Sequence, residues 1–281
     1  MKTALSALVL PLLIGQTELS AQSPRPPAPI IEQFGVADDG TILTWQVFPA
    51  RGVGKHPNVL VIHGGGFDSN PPTNDLLNCA KDLSNAGMNA FIISYRLAPP
   101  GLIPGQTSDG RYPDQSNDVL LAVHAARIDS RGNGKVGAVG GSAGGSHTVY
   151  VAATGIPGDT QIDVGVSLSG AYDYGDKTSW NWQDGSFFGW VSNYVNSTRA
   201  QTLYAASPIA FVKAGMPPLF LYASDSEPMP PQQLTDLMAK LDSVKVKNYQ
   251  AAVIPGRAHA FALWNTVSAE AIAFLLPALQ L

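Results

Sequence analysis

Val136-Gly137-Ala138-Val139-Gly140-Gly141-Ser142-Ala143-Gly144-Gly145 decides the reading of this chain. A short apolar strand pattern, Lys135 to Val139, enters a glycine-rich turn, and a helical pattern, Ala143 to Thr154, leaves it. Within the turn stands G-x-S-x-G. In a strand–turn–helix setting this pattern lifts a serine onto a tight, strained corner and leaves its hydroxyl accessible. Strand and helix pack so closely there that side chains two residues before or after the serine collide. Glycine at 140 and 144 removes them. The plainer reading is a glycine-rich turn with an ordinary serine, and the strand and helix around it favour the nucleophile.

Working outward, short apolar runs alternate with helical patterns. Strands are expected at Thr41–Phe48 (antiparallel), Asn58–His63, Asn89–Tyr95, Asp163–Leu168, Pro218–Ala223 and Tyr249–Ile254. Helices are expected at Asp75–Ala86, Asp114–Ser130, Gln232–Leu241 and His259–Leu276. Asp114 is the expected cap of its helix, with Val119, Leu120, Val123 and Ile128 on the inner face. Residues 171–205 read as irregular and aromatic. Alternation of this kind builds βαβ units and a mainly parallel sheet flanked by helices, an α/β fold. No repeat and no second linker appears, so residues 31–281 read as a single domain.

Three further features bear on chemistry. His63-Gly64-Gly65-Gly66 follows a buried strand. Backbone N–H groups aimed at a developing oxyanion need such close chain approach. Gly65 and Gly66 are the candidate donors, with the Ala143 N–H as a third, and His63 is read as a brace of the loop. A general base must come from His56, His63, His124, His147 or His259. His259 follows a strand and the loop Pro255–Ala258, which puts it at the carboxyl edge of the sheet, where such sites form. The partner acid belongs in the loop after Pro218–Ala223. Asp225 and Glu227 both stand there; Glu227 is favoured because a carboxylate reaching across to His259 needs the extra loop residues. The order Ser, acid, His is that of one large hydrolase class.

Composition narrows the function classes. The chain has 281 residues, 45% hydrophobic and 14% charged, with formal net charge −4. That suits one large domain and argues against disorder. With no basic block, a nucleic-acid partner is not expected. Cys79 is the only cysteine, on a helical apolar face, and reads as a buried structural thiol. No cysteine/histidine metal spacing occurs, so neither metal nor cofactor is expected. Lys2 and the apolar stretch Ala4–Ile14 resemble a secretory signal over residues 1–21, cut after Ala21, with a Pro-rich linker at 22–30. Beyond this segment no apolar run is long and uninterrupted enough to cross a membrane, so no membrane partner is expected and the mature chain is expected to be exported. Asn196-Ser197-Thr198 matches a glycosylation pattern, relevant only in a eukaryotic source.

The chain resembles the α/β-hydrolase superfamily, in particular the small esterases with an HGGG oxyanion loop, such as acetyl, xylan and feruloyl esterases. The resemblance runs through His63–Gly66, Ser94–Pro99, Tyr112-Pro113, Gly140–Gly145, Ser207-Pro208 and His259–Phe261. It implies a serine esterase with Ser142 as nucleophile, His259 as base, and Gly65, Gly66 and Ala143 around the oxyanion. The acid departs from the family's Gly-x-x-Asp, since Ala223–Glu227 stands in its place. Trp180, Trp182 and Trp190 are candidate substrate-binding residues that could stack on a sugar or a phenolic acyl group; the alternative is that they pack a cap over the sheet. A small-molecule or polysaccharide ester is the expected substrate. The rival readings are a serine peptidase of the same fold and a binding protein on a hydrolase scaffold.

Overall fold

The computed structural model describes residues 30–71, 73–102 and 109–280. The expected signal segment, its cleavage position and nearly all of the linker lie outside them. Ile30, assigned to the linker, is the first residue of a strand.

Eight strands form one sheet: β1 Ile30–Val36, β2 Ile42–Phe48, β3 His56–Ile62, β4 Asn89–Ile93, β5 Gly132–Gly141, β6 Val164–Leu168, β7 Leu219–Ser224 and β8 Tyr249–Ile254. Their order is β1-β2-β4-β3-β5-β6-β7-β8. Only β2 runs against its neighbours; β3 to β8 are parallel, as the strand–helix alternation requires. Strand β1 is absent from the expectation. Ile31 is 73% exposed and Ile30 49%, so the strand lacks the apolar-in, polar-out signature of a half-buried strand.

The helices are α1 Asn74–Asn85, α2 Asp114–Ile128, α3 Ala143–Thr154, α4 Ser186–Val195, α5 Ala200–Ala206, α6 Pro231–Ser243 and α7 Trp264–Leu279. Alternate residues of one strand serve opposite faces of the sheet. In β3, Leu60 and Ile62 join the core under α2, α3 and α6. Val59 and Val61 join the core under α1 and α7, which also buries Cys79. Burial pushes the Cys79 thiol well above its ordinary pKa, which keeps it an inert core group.

Four expectations change. Residues 171–205 hold the two helices α4 and α5; Gly185 and Asn196, both left-handed, bound α4. Pro113 occupies the cap position of α2, and the Asp114 carboxylate instead takes the Gly110 N–H and lies 3.6 Å from the Arg96 guanidinium. Ile128 ends α2 with 70% exposure, off the inner face. His259 is extended and stands before a 3-10 turn, Ala260–Leu263, so α7 starts five residues later than expected.

The parallel strands deliver their carboxyl ends to one edge. β3 leads into the glycine loop, β5 into Ser142, β7 into the acid loop and β8 into the His259 loop. Registers Ile62↔Gly140 and Ser224↔Ile254 bring these ends side by side in pairs.

Two histidines are enclosed beneath this edge. Burial lowers His63 to about 4, against the opposing effect of its bond to the Gly64 carbonyl. Burial, then the neighbouring His63 charge, lowers His147 to about 3. Both are therefore neutral in the native protein, while the unfolded chain takes up their protons near pH ~6.5. Acid thus favours the unfolded state, by about 1.4 kcal/mol per histidine for each pH unit below ~6.5. Thermal unfolding followed from pH 7 to pH 5, above the carboxylate range, should show a falling midpoint. A midpoint that stays level or rises would contradict neutral burial.

Candidate active site

Ser142 sits at φ 55°, ψ −122°, a conformation L-residues rarely adopt. The close packing expected from the sequence is present. A Cβ at Gly140 would meet the Gly144 carbonyl oxygen at 2.1 Å, and one at Gly144 would meet the Ile62 oxygen at 2.0 Å. The turn is held from both sides: the Ser142 N–H donates to Leu168 O at 2.8 Å, and Ser142 O accepts from Ser146 N at 3.1 Å. The serine is 7% exposed and lines a cavity of about 550 Å³.

Gly64, Gly65, Gly66 and His259 line the same cavity, with Trp190, Pro228, Phe261, Asp68 and Asp75 among its other walls. The turn Gly65–Ser69 closes on itself, since Asp68 N and Ser69 N both donate to Gly65 O. Among the described residues no acceptor takes the Gly65 or Gly66 N–H. Ala143 is the first residue of α3, where backbone N–H groups lack helical partners. Three donors thus remain at the edge where Ser142 stands. His63 braces the loop from below: its Nδ1–H donates to Gly64 O at 2.7 Å, and its ring stacks on Tyr95 at 4.1 Å. The Tyr95 hydroxyl donates to His63 O at 2.8 Å.

Glu227, not Asp225, meets His259. The carboxylate is fully buried, and its Oε2 accepts the His259 Nδ1–H at 2.5 Å. Its Oε1 accepts the Ser224 N–H at 2.7 Å, which fixes the carboxyl plane. A carboxylate only accepts, so the imidazole proton lies on Nδ1 and Nε2 keeps its lone pair. Asp225 is exposed and takes the Gly256 N–H at 3.1 Å, tying the acid loop to the loop before His259. That bond, with the Ser226 hydroxyl second, holds the Asp225 carboxyl below its ordinary pKa. Ser142 Oγ makes no hydrogen bond among the described residues. Such contacts are often long before substrate binds and tighten afterwards.

The three tryptophans separate. Trp190 lines the cavity and lies against the glycine loop, where a Cβ on Gly66 would come within 2.9 Å of its indole. Trp182 donates its indole N–H to Glu227 O at 2.9 Å, and Gln183 donates to the same oxygen at 2.8 Å. These residues hold the acid's backbone and do not line the cavity. Trp180 donates to Tyr174 O, tilts on Phe188 at 4.5 Å and lies in a separate surface cavity beside Lys177 and Arg199. Trp180 and Trp182 thus commit their indole N–H groups to backbone carbonyls and lie outside the lining of the cavity that holds Ser142. Gln115, which the sequence did not single out, is buried on α2, and its amide reaches the loop after the glycines at Phe67 O.

No curated protein matches the chain in sequence. Solved structures do match in fold. A thermophilic esterase of the planctomycete Thermogutta terrifontis superposes with TM-score 0.66 at 17% identity, over 90% of this chain and 92% of that one. A truncated carbohydrate esterase from gut microbiota gives 0.71 at 15% identity, over 89% and 96%. An acetyl ester-xyloside bifunctional hydrolase from Caldicellulosiruptor lactoaceticus gives 0.70 at 16%, over 91% and 96%. A family profile described as alpha/beta hydrolase fold matches residues 59–263, well over half of the chain and all of the site just described. The chain belongs to the alpha/beta hydrolase fold family, and these structural relatives are esterases.

Proposed function

We propose that this chain is a secreted serine carboxylic-ester hydrolase acting on short-chain, acetyl-type esters of hydroxyl-rich alcohols such as polysaccharides. The observation that carries it is the Glu227–His259 bond at the rim of the cavity holding Ser142 and the glycine loop. Nε2 of His259 takes the Ser142 proton as Oγ attacks the ester carbonyl. The oxyanion is held by the N–H groups of Gly65, Gly66 and Ala143. The imidazolium returns its proton to the departing alkoxide, leaving an acyl-serine. Water then attacks with His259 again as base, and acid and enzyme are released.

The cavity supports the substrate class. Its apolar wall of Trp190, Pro228 and Phe261 stands beside two carboxylates, Asp68 and Asp75, with no lysine or arginine among the described residues of the lining. That lining favours neutral, hydrogen-bond-donating alcohols over anionic ones. Trp190 abuts the oxyanion loop, so an acyl group held there ends on the indole. The carbohydrate and acetyl ester hydrolases among the structural relatives fit this reading. Export rests on the N-terminal sequence alone; the first residue of the protein recovered outside the cell should be Gln22, and recovery of intact Met1 from the cell interior would contradict export.

Wild type should hydrolyse p-nitrophenyl acetate and release acetate from acetylxylan. Ser142→Ala should lower both by several orders of magnitude. Trp190→Ala should shift preference from acetyl towards hexanoyl esters. Acetate release no greater than the Ser142→Ala control would remove the polysaccharide reading.

Glu227→Gln should lower kcat by about 10²–10⁴-fold, because it loses the acceptor that holds the Nδ1–H tautomer. Asp225→Asn should stay within a few-fold of wild type. A large loss in Asp225→Asn with Glu227→Gln near wild type in steady-state assays would give the acid's role to Asp225.

A further inference from the structure

We infer that Gln115 keeps the two halves of the oxyanion hole in register and is a positioning residue for acyl transfer. The inference rests on the esterase reading above. The donors lie on separate elements: Gly65 and Gly66 on the loop after β3, Ala143 at the start of α3. An oxyanion needs them within hydrogen-bond distance of one point, so small relative shifts weaken the hole.

The hydrogen bonds within the turn end on Gly65 O, and none of them holds the Phe67 carbonyl. Three consecutive residues are left-handed: Gly65 at φ 112°, Gly66 at 59° and Phe67 at 68°. Phe67 has a Cβ, so its conformation must be imposed by its surroundings. Gln115 supplies much of that. It is fully buried in the first turn of α2, and its Nε2 donates to Phe67 O at 2.7 Å and Gly110 O at 2.5 Å. Two carbonyl acceptors require the amide nitrogen at that position. The amide oxygen therefore accepts, and the atom facing it is His147 Nε2 at 3.2 Å. That fixes the His147 proton on Nε2.

His147 lies four residues after Ala143, on the same face of α3. The path is thus continuous: Ala143, one helical turn to His147, across to Gln115, and back to the carbonyl next to Gly66. Ring packing runs alongside, with Phe67 stacked on Tyr194 at 4.2 Å and edge-on to His147 at 5.7 Å. Phe67 O also accepts the Ala98 N–H at 2.9 Å. Without Gln115 the Ala98 N–H alone holds the Phe67 carbonyl, and the link from the loop to His147 and α3 is lost.

Gln115→Met tests this in the full-length protein. Its kcat on p-nitrophenyl acetate should fall by about 10- to 100-fold with KM within about twofold, less than the loss of a whole donor. Affinity for a methyl trifluoromethyl ketone, whose adduct with Ser142 carries an oxyanion, should fall by the same factor. Inhibition by p-nitrophenol in mildly acidic buffer, where it is the neutral phenol and presents no oxyanion, should not change. His147→Phe should give the same pattern more weakly, and the double variant should be no worse than Gln115→Met. Unchanged kcat and ketone affinity in Gln115→Met would overturn the inference, as would parallel loss of KM, p-nitrophenol binding and thermal stability. Should Gln115→Met fail to fold, His147→Phe decides: retained ketone affinity overturns the inference and selective loss supports it. Wild type inert towards both ester and ketone would remove the esterase reading itself, together with this inference.

Discussion

The left-handed backbone at Ser142 is the constraint on which the rest depends. A non-glycine residue persists there only because its neighbours leave no alternative. Glycines at 140 and 144 let α3 close on β5 and β3, and the Leu168 carbonyl holds the Ser142 amide from the β6 side. The sheet register then follows through to the site. With Ile62 opposite Gly140, the loop after β3 emerges beside the serine, so the glycine loop reaches it with no long connection.

The second half of the site is built on the far strands. β7 and β8 are paired to their last residues, and the loops beyond them are joined again by Asp225 and Gly256. Glu227 can therefore be buried without loss: one oxygen is satisfied by Ser224 N–H, the other by His259. A carboxylate removed from water without such partners would be strongly disfavoured. The cap, residues 171–205, contributes to both parts of the site: Trp182 and Gln183 bond the Glu227 carbonyl, and Trp190 lines the cavity. Cap and acid loop form one hydrogen-bonded unit.

The parts of the site set by local pattern were legible in the sequence. Gly140–Gly145 and His63–Gly66 are each a strand end followed by glycines, and one segment suffices to see them. Which acid pairs with His259 depends on two loops meeting, so Asp225 and Glu227 could be ranked but not separated. The tryptophans could not be separated in sequence, because an aromatic residue reads alike whether its N–H faces solvent or a backbone carbonyl. Only Trp190 proved to line the cavity. Strand β1 escaped because its isoleucines face outward at a sheet edge. Gln115 and His147 carried a weak signal, polar residues on the inner faces of helices, whose meaning appears only when α2 and α3 pack together.

In the proposed mechanism Ser142 is the nucleophile, and His259, held by Glu227, activates it. The most direct measurement is peptide mapping by mass spectrometry after treatment with a p-nitrophenyl alkylphosphonate. Wild type should carry one phosphonyl group, on Ser142, formed with release of p-nitrophenol, and His259→Gln should label far more slowly at the same residue. Stoichiometric labelling at another side chain, or labelling of Ser142 at an unchanged rate in His259→Gln, would contradict it.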